Sequence, residues 1–283
     1  TEIQCSRKYQ HNKQTHGLDL LMNFNNPYMR CNQGIVVECK NRQMRSINQA
    51  ELDKWLEELI NAIECAQSAP ELQDFDMGNT MLNTGLLLIH ANDSFNSELF
   101  NKYLCNLKVH SRRNPINVFI AGNDEIDRWN SLRNKIEKDF TSEFQFIYPS
   151  IEGSNMELGN YLTINQLYSK YIFAQDMKYI EKTEAGTSYK VPQVRKIMIS
   201  FDEISKGNFK YMWSMFKALQ FQDAKELVFV FYPRKNSDVE FVKDNFINTL
   251  YQIQQPITEN IASRIKLEFI DNRSLSPVDM GGR

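Results

Sequence analysis

Short apolar runs, several of them β-branched, alternate with amphipathic helical stretches along most of this chain, and that rhythm confines it to an α/β architecture of sheets flanked by helices. Strand-like runs fall at 17–24, 34–40, 85–91, 116–121 and 144–148. Between the second and third, Leu52, Trp55, Leu56, Leu59, Ile63 and Ala66 recur at three- and four-residue steps, which predicts a helix burying that face. Asn48 and Glu51 supply its capping pair, and Asp53, Lys54, Glu57 and Glu58 form its solvated side. Further helices are expected over 95–107 and 124–139.

The first two strands, joined by the Asn-, Pro- and Gly-bearing stretch 25–33, read as a hairpin. A loop over 151–159, rich in Gly, Ser and Asn, divides the 283 residues into an expected domain over 1–150 and a second α/β domain over 151–283. That agrees with roughly 150 residues per domain. In the second, the pattern predicts a long helix over 160–180, then a polar gap through Gly186 and Pro192. Strands at 195–201, 226–232 and 264–270 follow, separated by helices near 208–221 and 237–253, as right-handed parallel crossovers require. Met212, Trp213, Met215 and Phe216, like Trp55, are read as core-facing.

Several classes are excluded. A chain of this length with 42% hydrophobic residues builds its own core, so disorder is not its main state. Its longest apolar runs fall well short of the ~18 residues of a membrane-spanning helix, so no membrane is expected. Five cysteines, odd in number and scattered, show no C-x-x-C pair and no Cys/His cluster at zinc-ligand spacing, which reads as reduced, buried thiols in a cytoplasmic protein. The chain opens at Thr1 without a basic n-region or apolar segment, and residues before Thr1 are expected to be missing, with room among them for an opening helix. No phosphate-binding P-loop, dinucleotide fingerprint, serine elbow or H-E-x-x-H motif is present, so any ATP-driven step would fall to another protein.

Charge is nearly balanced, 33 basic against 35 acidic side chains for a net of -2, but it is unevenly placed. Residues 1–46 hold Arg7, Lys8, Lys13, Arg30, Lys40, Arg42 and Arg45 against Glu2, Asp19 and Glu38. Within that basic segment lies the informative constellation: Asp19 on one strand, Glu38-Cys39-Lys40 on the next. Side chains alternate along a strand, so Glu38 and Lys40 share a face and Asp19 lies across from them. Two carboxylates and an ammonium on one sheet face are costly to bury without a use, and a divalent metal relieves that cost. Hard carboxylate oxygens suit Mg²⁺ or Mn²⁺; such an ion polarises a phosphodiester and acidifies a bound water, which a lysine can orient. The other reading is an edge hairpin with an exposed salt bridge.

The arrangement Gly17-Leu18-Asp19-Leu20-Leu21, then Ile35-Val36-Val37-Glu38-Cys39-Lys40 and an amphipathic helix, resembles the PD-(D/E)xK, or restriction-endonuclease-like, nuclease superfamily. The resemblance covers about residues 1–70, with Leu18 where the family often has proline. It implies a restriction-endonuclease-like mixed sheet flanked by helices. It also implies metal binding by Asp19, Glu38 and the Cys39 backbone carbonyl, and a water-directing Lys40. Many members add a glutamate from an opening helix, for which Glu2 is the visible candidate. E-x-K occurs once in the chain; D-x-K occurs at Asp176-Met177-Lys178, in a helical pattern, and at Asp223-Ala224-Lys225, ahead of a strand.

Arg42 and Arg45 just past the motif, His16 before it, and the basic loop of Lys108, Arg112 and Arg113 are candidate phosphate contacts; solvated loop charges and a structural histidine are the plainer readings. The expected activity is that of a metal-dependent DNA endonuclease, with the C-terminal domain shaping the DNA channel or docking a protein partner or second copy. Restriction, anti-phage defence or DNA repair is the role the resemblance implies. The rival, supported by the net charge of -2, is a catalytically silent nuclease-fold scaffold or sensor binding nucleic acid or a nucleotide-like effector.

Overall fold

The structure, a computed structural model, describes residues 1–75, 79–109, 112, 114–149, 156–184, 186–253 and 259–272. They form two compact units, the chain dividing between Asp127 and Arg128.

In the first unit, β1 (Glu2–Gln4) leads through the one-turn helix α1 (Lys8–His11) to β2 (Thr15–Gly17), its antiparallel partner. The expected hairpin follows as β3 (Leu20–Asn26) and β4 (Cys31–Arg42), in a register that sets Leu20 opposite Val37. Then come α2 (Gln49–Ala66), β5 (Met81–Ala91), α3 (Ser97–Cys105), β6 (Asn117–Ala121) and the start of α4 (Asn123–Asp139). The sheet runs β3-β4-β5-β6, with β4, β5 and β6 parallel, so α2 and α3 are the crossovers. β4 is interior because Gln33 to Val37 are buried without a break, the mark of a strand covered on both faces. Asn48 caps α2 by accepting the Glu51 amide at 3.1 Å. Leu52, Trp55, Leu59 and Ile63 then pack with Val36, Leu87 and Ile89 in one core. Gly85 lets α2 lie close on β5: a Cβ there would stand 2.6 Å from the Ile63 Cδ1.

The second unit takes the rest of α4, then β7 (Gln145–Tyr148), β8 (Glu157–Gly159), the short α5 (Ile164–Leu167), β9 (Tyr171–Glu184), β10 (Thr187–Ser200), α6 (Lys206–Ala218), β11 (Glu226–Phe231), α7 (Asn236–Tyr251), α8 (Glu259–Ala262) and β12 (Ile265–Phe269). Its sheet is ordered β12-β11-β10-β9-β7-β8; β10, β11 and β12 run parallel, as expected, and the others antiparallel. Leu227, Phe229 and Phe231 face a core with Phe209, Trp213, Phe216 and Phe246, while Val228 and Val230 face another with Leu132, Phe146 and Ile172. The sheet is thus covered on both sides. Met212 and Trp55 are buried, as read from the sequence.

Three expectations need correction. The predicted helix over 160–180 is one turn of helix followed by strand β9. Ile172, Ala174 and Asp176 are buried while Tyr171, Phe173 and Gln175 are less so, a period of two that prevails over the helical reading. The polar gap through Gly186 and Pro192 is the outer part of the β9–β10 hairpin, which turns at Gly186 with φ +84°. The strand at 144–148, counted above with the N-terminal domain, pairs with β8 and β9 in the second unit's sheet.

Candidate active site

β4 is longer than its hairpin partner. β3 is paired with it only as far as Leu20 opposite Val37, so the segment Glu38 to Arg42 runs on past that edge while still pairing with β5 on its other side. A main-chain N–H at such an edge requires another acceptor. For Cys39 it is the Asp19 carboxylate, whose Oδ2 accepts at 2.8 Å. Asp19 stands one residue before β3, where continuing the register sets it opposite Glu38. Glu38 and Lys40, on one face of β4, are ion-paired and mostly shielded, with side chains 18% and 15% exposed. The three residues singled out by spacing are therefore brought to one place.

The electrostatics agree. Burial pushes the Cys39 thiol up, and the Asp19 and Glu38 carboxylates push it further against the opposing Lys40 charge. Both carboxylates therefore bear on the same stretch of backbone. Their hard oxygens suit a divalent cation with substrate phosphate, and Lys40 is the counter-charge that keeps the pair tolerable. Asp19 also borders a surface cleft with Thr1, Leu18, Leu20, Leu21, Asn23 and Leu72. Glu2 lies on strand β1, not a helix, and its carboxylate accepts from the Thr15 hydroxyl.

The remaining candidates separate. Arg42 and Arg45 are exposed just past the motif, their side chains bonded to Asn41 and Gln43 oxygens at 3.1 and 2.9 Å. Arg112 is ion-paired with Glu57 of α2 and near Asn61, and the Lys108 amide donates to Asp53 at 3.0 Å, so that loop answers the acidic row of α2. Arg113 lies outside the described residues. His16 is 4% exposed, and burial, with His11 and Lys13 beside it, lowers its pKa against a weaker pull from Glu58. It is an interior group, not one presented to phosphates. Of the D-x-K sequences, Asp176 lies on strand β9 in a buried pair with Arg195, a structural use.

The cysteine reading also changes. Cys5 and Cys65 are buried, but Cys39 and Cys105 are exposed. Cys5, His11, His16 and Cys65, which show no zinc-ligand spacing along the chain, come together in space. Sequence reasoning missed them because the fourth member arrives from α2, far along the chain.

A helix-flanked mixed sheet that carries Asp19 ahead of β3 and Glu38-Cys39-Lys40 at the emerging end of β4 is consistent with a PD-(D/E)xK nuclease-like fold. Residues 1–125 match the family model for the GAPS4 protein PD-(D/E)XK nuclease domain. No curated protein and no solved structure matches the chain. Among the described residues no helix is long and apolar enough to cross a membrane.

Proposed function

We propose that the nuclease domain hydrolyses DNA phosphodiester bonds at Asp19, Glu38 and Lys40 with a divalent metal, Mg²⁺ or Mn²⁺. The supporting observation is the convergence of the Asp19 carboxylate and the Glu38–Lys40 pair where β4 emerges past β3. Asp19, Glu38 and the Cys39 carbonyl would hold the ion, which supplies polarisation of the phosphodiester and acidification of the attacking water. Lys40 orients that water and offsets negative charge as the new phosphorus–oxygen bond forms and the leaving oxygen departs. Arg42 and Arg45 are free to contact flanking phosphates.

Cleavage is endonucleolytic in this reading, and the chain acts in the cytoplasm in anti-phage defence or restriction rather than repair. Catalysis belongs to the N-terminal domain; the rest of the chain shapes the DNA path or docks a protein partner or a second copy.

The test is cleavage of supercoiled and linear DNA with Mg²⁺ or Mn²⁺. The wild type should cut both forms, and the Asp19→Ala, Glu38→Ala double variant neither. Lys40→Ala should lose on the order of 10²- to 10⁴-fold in rate. Undiminished cutting by Lys40→Ala in Mg²⁺ would remove the assigned mechanism. DNA retention without cutting by any form would point to the scaffold instead.

A further inference from the structure

Cys5 follows β1, His11 ends α1, His16 is the central residue of β2, and Cys65 lies in the last turn of α2. Their ligand atoms all lie within 4.8 Å of one another. The two sulfurs are 3.8 Å apart. His11 Nδ1 is 3.4 Å from Cys5 Sγ, 3.5 Å from Cys65 Sγ and 3.3 Å from His16 Nε2. A tetrahedral ion with bonds of about 2.3 Å to sulfur and 2.0–2.1 Å to nitrogen requires edges of about 3.8 Å between sulfurs, 3.5 Å between sulfur and nitrogen, and 3.3 Å between nitrogens. The four separations given above match those edges to within about 0.2 Å.

The surroundings point the same way. Cys5, His16 and Cys65 are 2%, 4% and 0% exposed, and the His11 side chain 3%. His11 Nε2 is 3.2 Å from the Glu64 carboxylate, which Arg7 holds at 2.9 Å. A ring that donates from Nε2 to Glu64 turns the bare lone pair of Nδ1 into the cluster, the outer arrangement that metal-bound histidines usually have. Ser6 donates to Cys65 Sγ at 3.5 Å, as a thiolate would require. Charge closes as well: two thiolates balance a divalent ion, two imidazoles stay neutral, and Glu64 is balanced by Arg7.

We propose that Cys5, His11, His16 and Cys65 form a structural zinc site, separate from the oxygen-lined site of Asp19 and Glu38. Two sulfurs and two nitrogens, four of whose six separations fit the edges of a tetrahedron, select zinc among the common divalent ions, and four protein ligands leave no open position for catalysis. Binding releases the two thiol protons to solvent. The site explains how the opening segment is held. α1 is one turn long, and β1 and β2 form a two-stranded sheet of three residues apiece. A zinc ion ties this strap to the end of α2. Because His16 precedes Asp19 by three residues, the same ion fixes the approach of the chain to the active-site carboxylate.

The test is the metal content of the full chain, purified reduced and without chelator. About one zinc per chain is expected. Replacing it with cobalt should give the visible bands of a tetrahedral ion and a near-ultraviolet thiolate charge-transfer band. A Cys5→Ser, Cys65→Ser double variant should lose at least tenfold in bound zinc, while Cys105→Ser binds as the wild type does. The wild-type cobalt spectrum decides the matter even where the double variant fails to fold. Zinc below a tenth of an equivalent with no cobalt bands in reduced protein overturns the site, as does zinc content unaffected by the double variant or a Cys5–Cys65 disulfide in the purified chain.

Discussion

A side chain added at Gly85 has nowhere to go, since its Cβ would meet Ile63 at 2.6 Å and Leu59 at 3.0 Å. Both are core residues of α2, so Gly85→Val should overpack the interface between α2 and β5 and cost about 1–3 kcal/mol in a denaturant titration. A second residue-scale consequence depends on pH. Burial alone would raise the Asp202 pKa, but Lys170 at 2.8 Å, the Tyr171 hydroxyl at 2.6 Å and the Glu203 amide at 2.9 Å outweigh it and hold the carboxyl below its usual value. A depressed folded pKa stabilises above the unfolded value near 3.9 and loses that contribution as pH falls through the folded pKa. Melting of wild type and Asp202→Asn should therefore differ by a constant gap over about pH 5 to 7, and the gap should close as pH falls through the depressed folded pKa. A gap that persists in acid would mean that the carboxylate charge is not the cause. At this scale the catalytic candidates were legible because Glu38 and Lys40 lie two apart on a strand and Asp19 precedes that strand's hairpin partner. Local periodicity alone fixes such a relation. Cys5, His11, His16 and Cys65 were not, because packing of α2, not spacing, brings the last of them in.

Strand β9 shows how an element can be misread when its polar residues have partners far away. Asp176 sits on the buried face of β9 directly opposite Arg195 of β10, and both are 1% exposed. The Thr141 amide donates to Asp176 at 3.3 Å, and Arg195 also reaches Glu226 at 3.7 Å. A carboxylate at that position breaks the apolar alternation that marks a strand in the sequence, and the neighbouring residues then fit a helical period equally well. The hairpin β3–β4 and helix α2 were legible because apolar residues dominate their buried faces, Ile35 to Val37 on β4 and Leu52, Trp55, Leu59 and Ile63 on α2. The pair itself is a strong liability. Removing one member strands a buried charge, so Asp176→Ala should cost about 3–5 kcal/mol, read as a fall in the denaturant midpoint. Replacing both partners with apolar residues of similar volume should recover most of that loss, whereas a double variant as unstable as the single one would show that backbone register, not charge, is what the pair maintains.

Across the whole molecule, near-neutral charge and the proposed nuclease site have to be reconciled. A net of -2 gives no general attraction to a polyanion, so affinity must come from where the positive charge is placed. Residues 1–46 carry the local excess, but much of it is already engaged: Arg7 by Glu64, Lys13 by Glu58 and Lys40 by Glu38. In the loop after α3, Arg112 is likewise engaged by Glu57. Arg42 and Arg45, exposed beside the emerging end of β4 and bonded, among the described residues, to neutral oxygens of their own segment, are the cations best placed to meet phosphate. Each contact to phosphate contributes about one unit to the slope of log affinity against log salt. The Arg42→Ala, Arg45→Ala double variant should therefore bind DNA more weakly at low salt, with a slope shallower by about two, and with metal-dependent turnover of saturating DNA little changed. Equal slopes in wild type and variant would move the DNA path off this edge of the sheet, to cations that the first unit does not present beside its carboxylates.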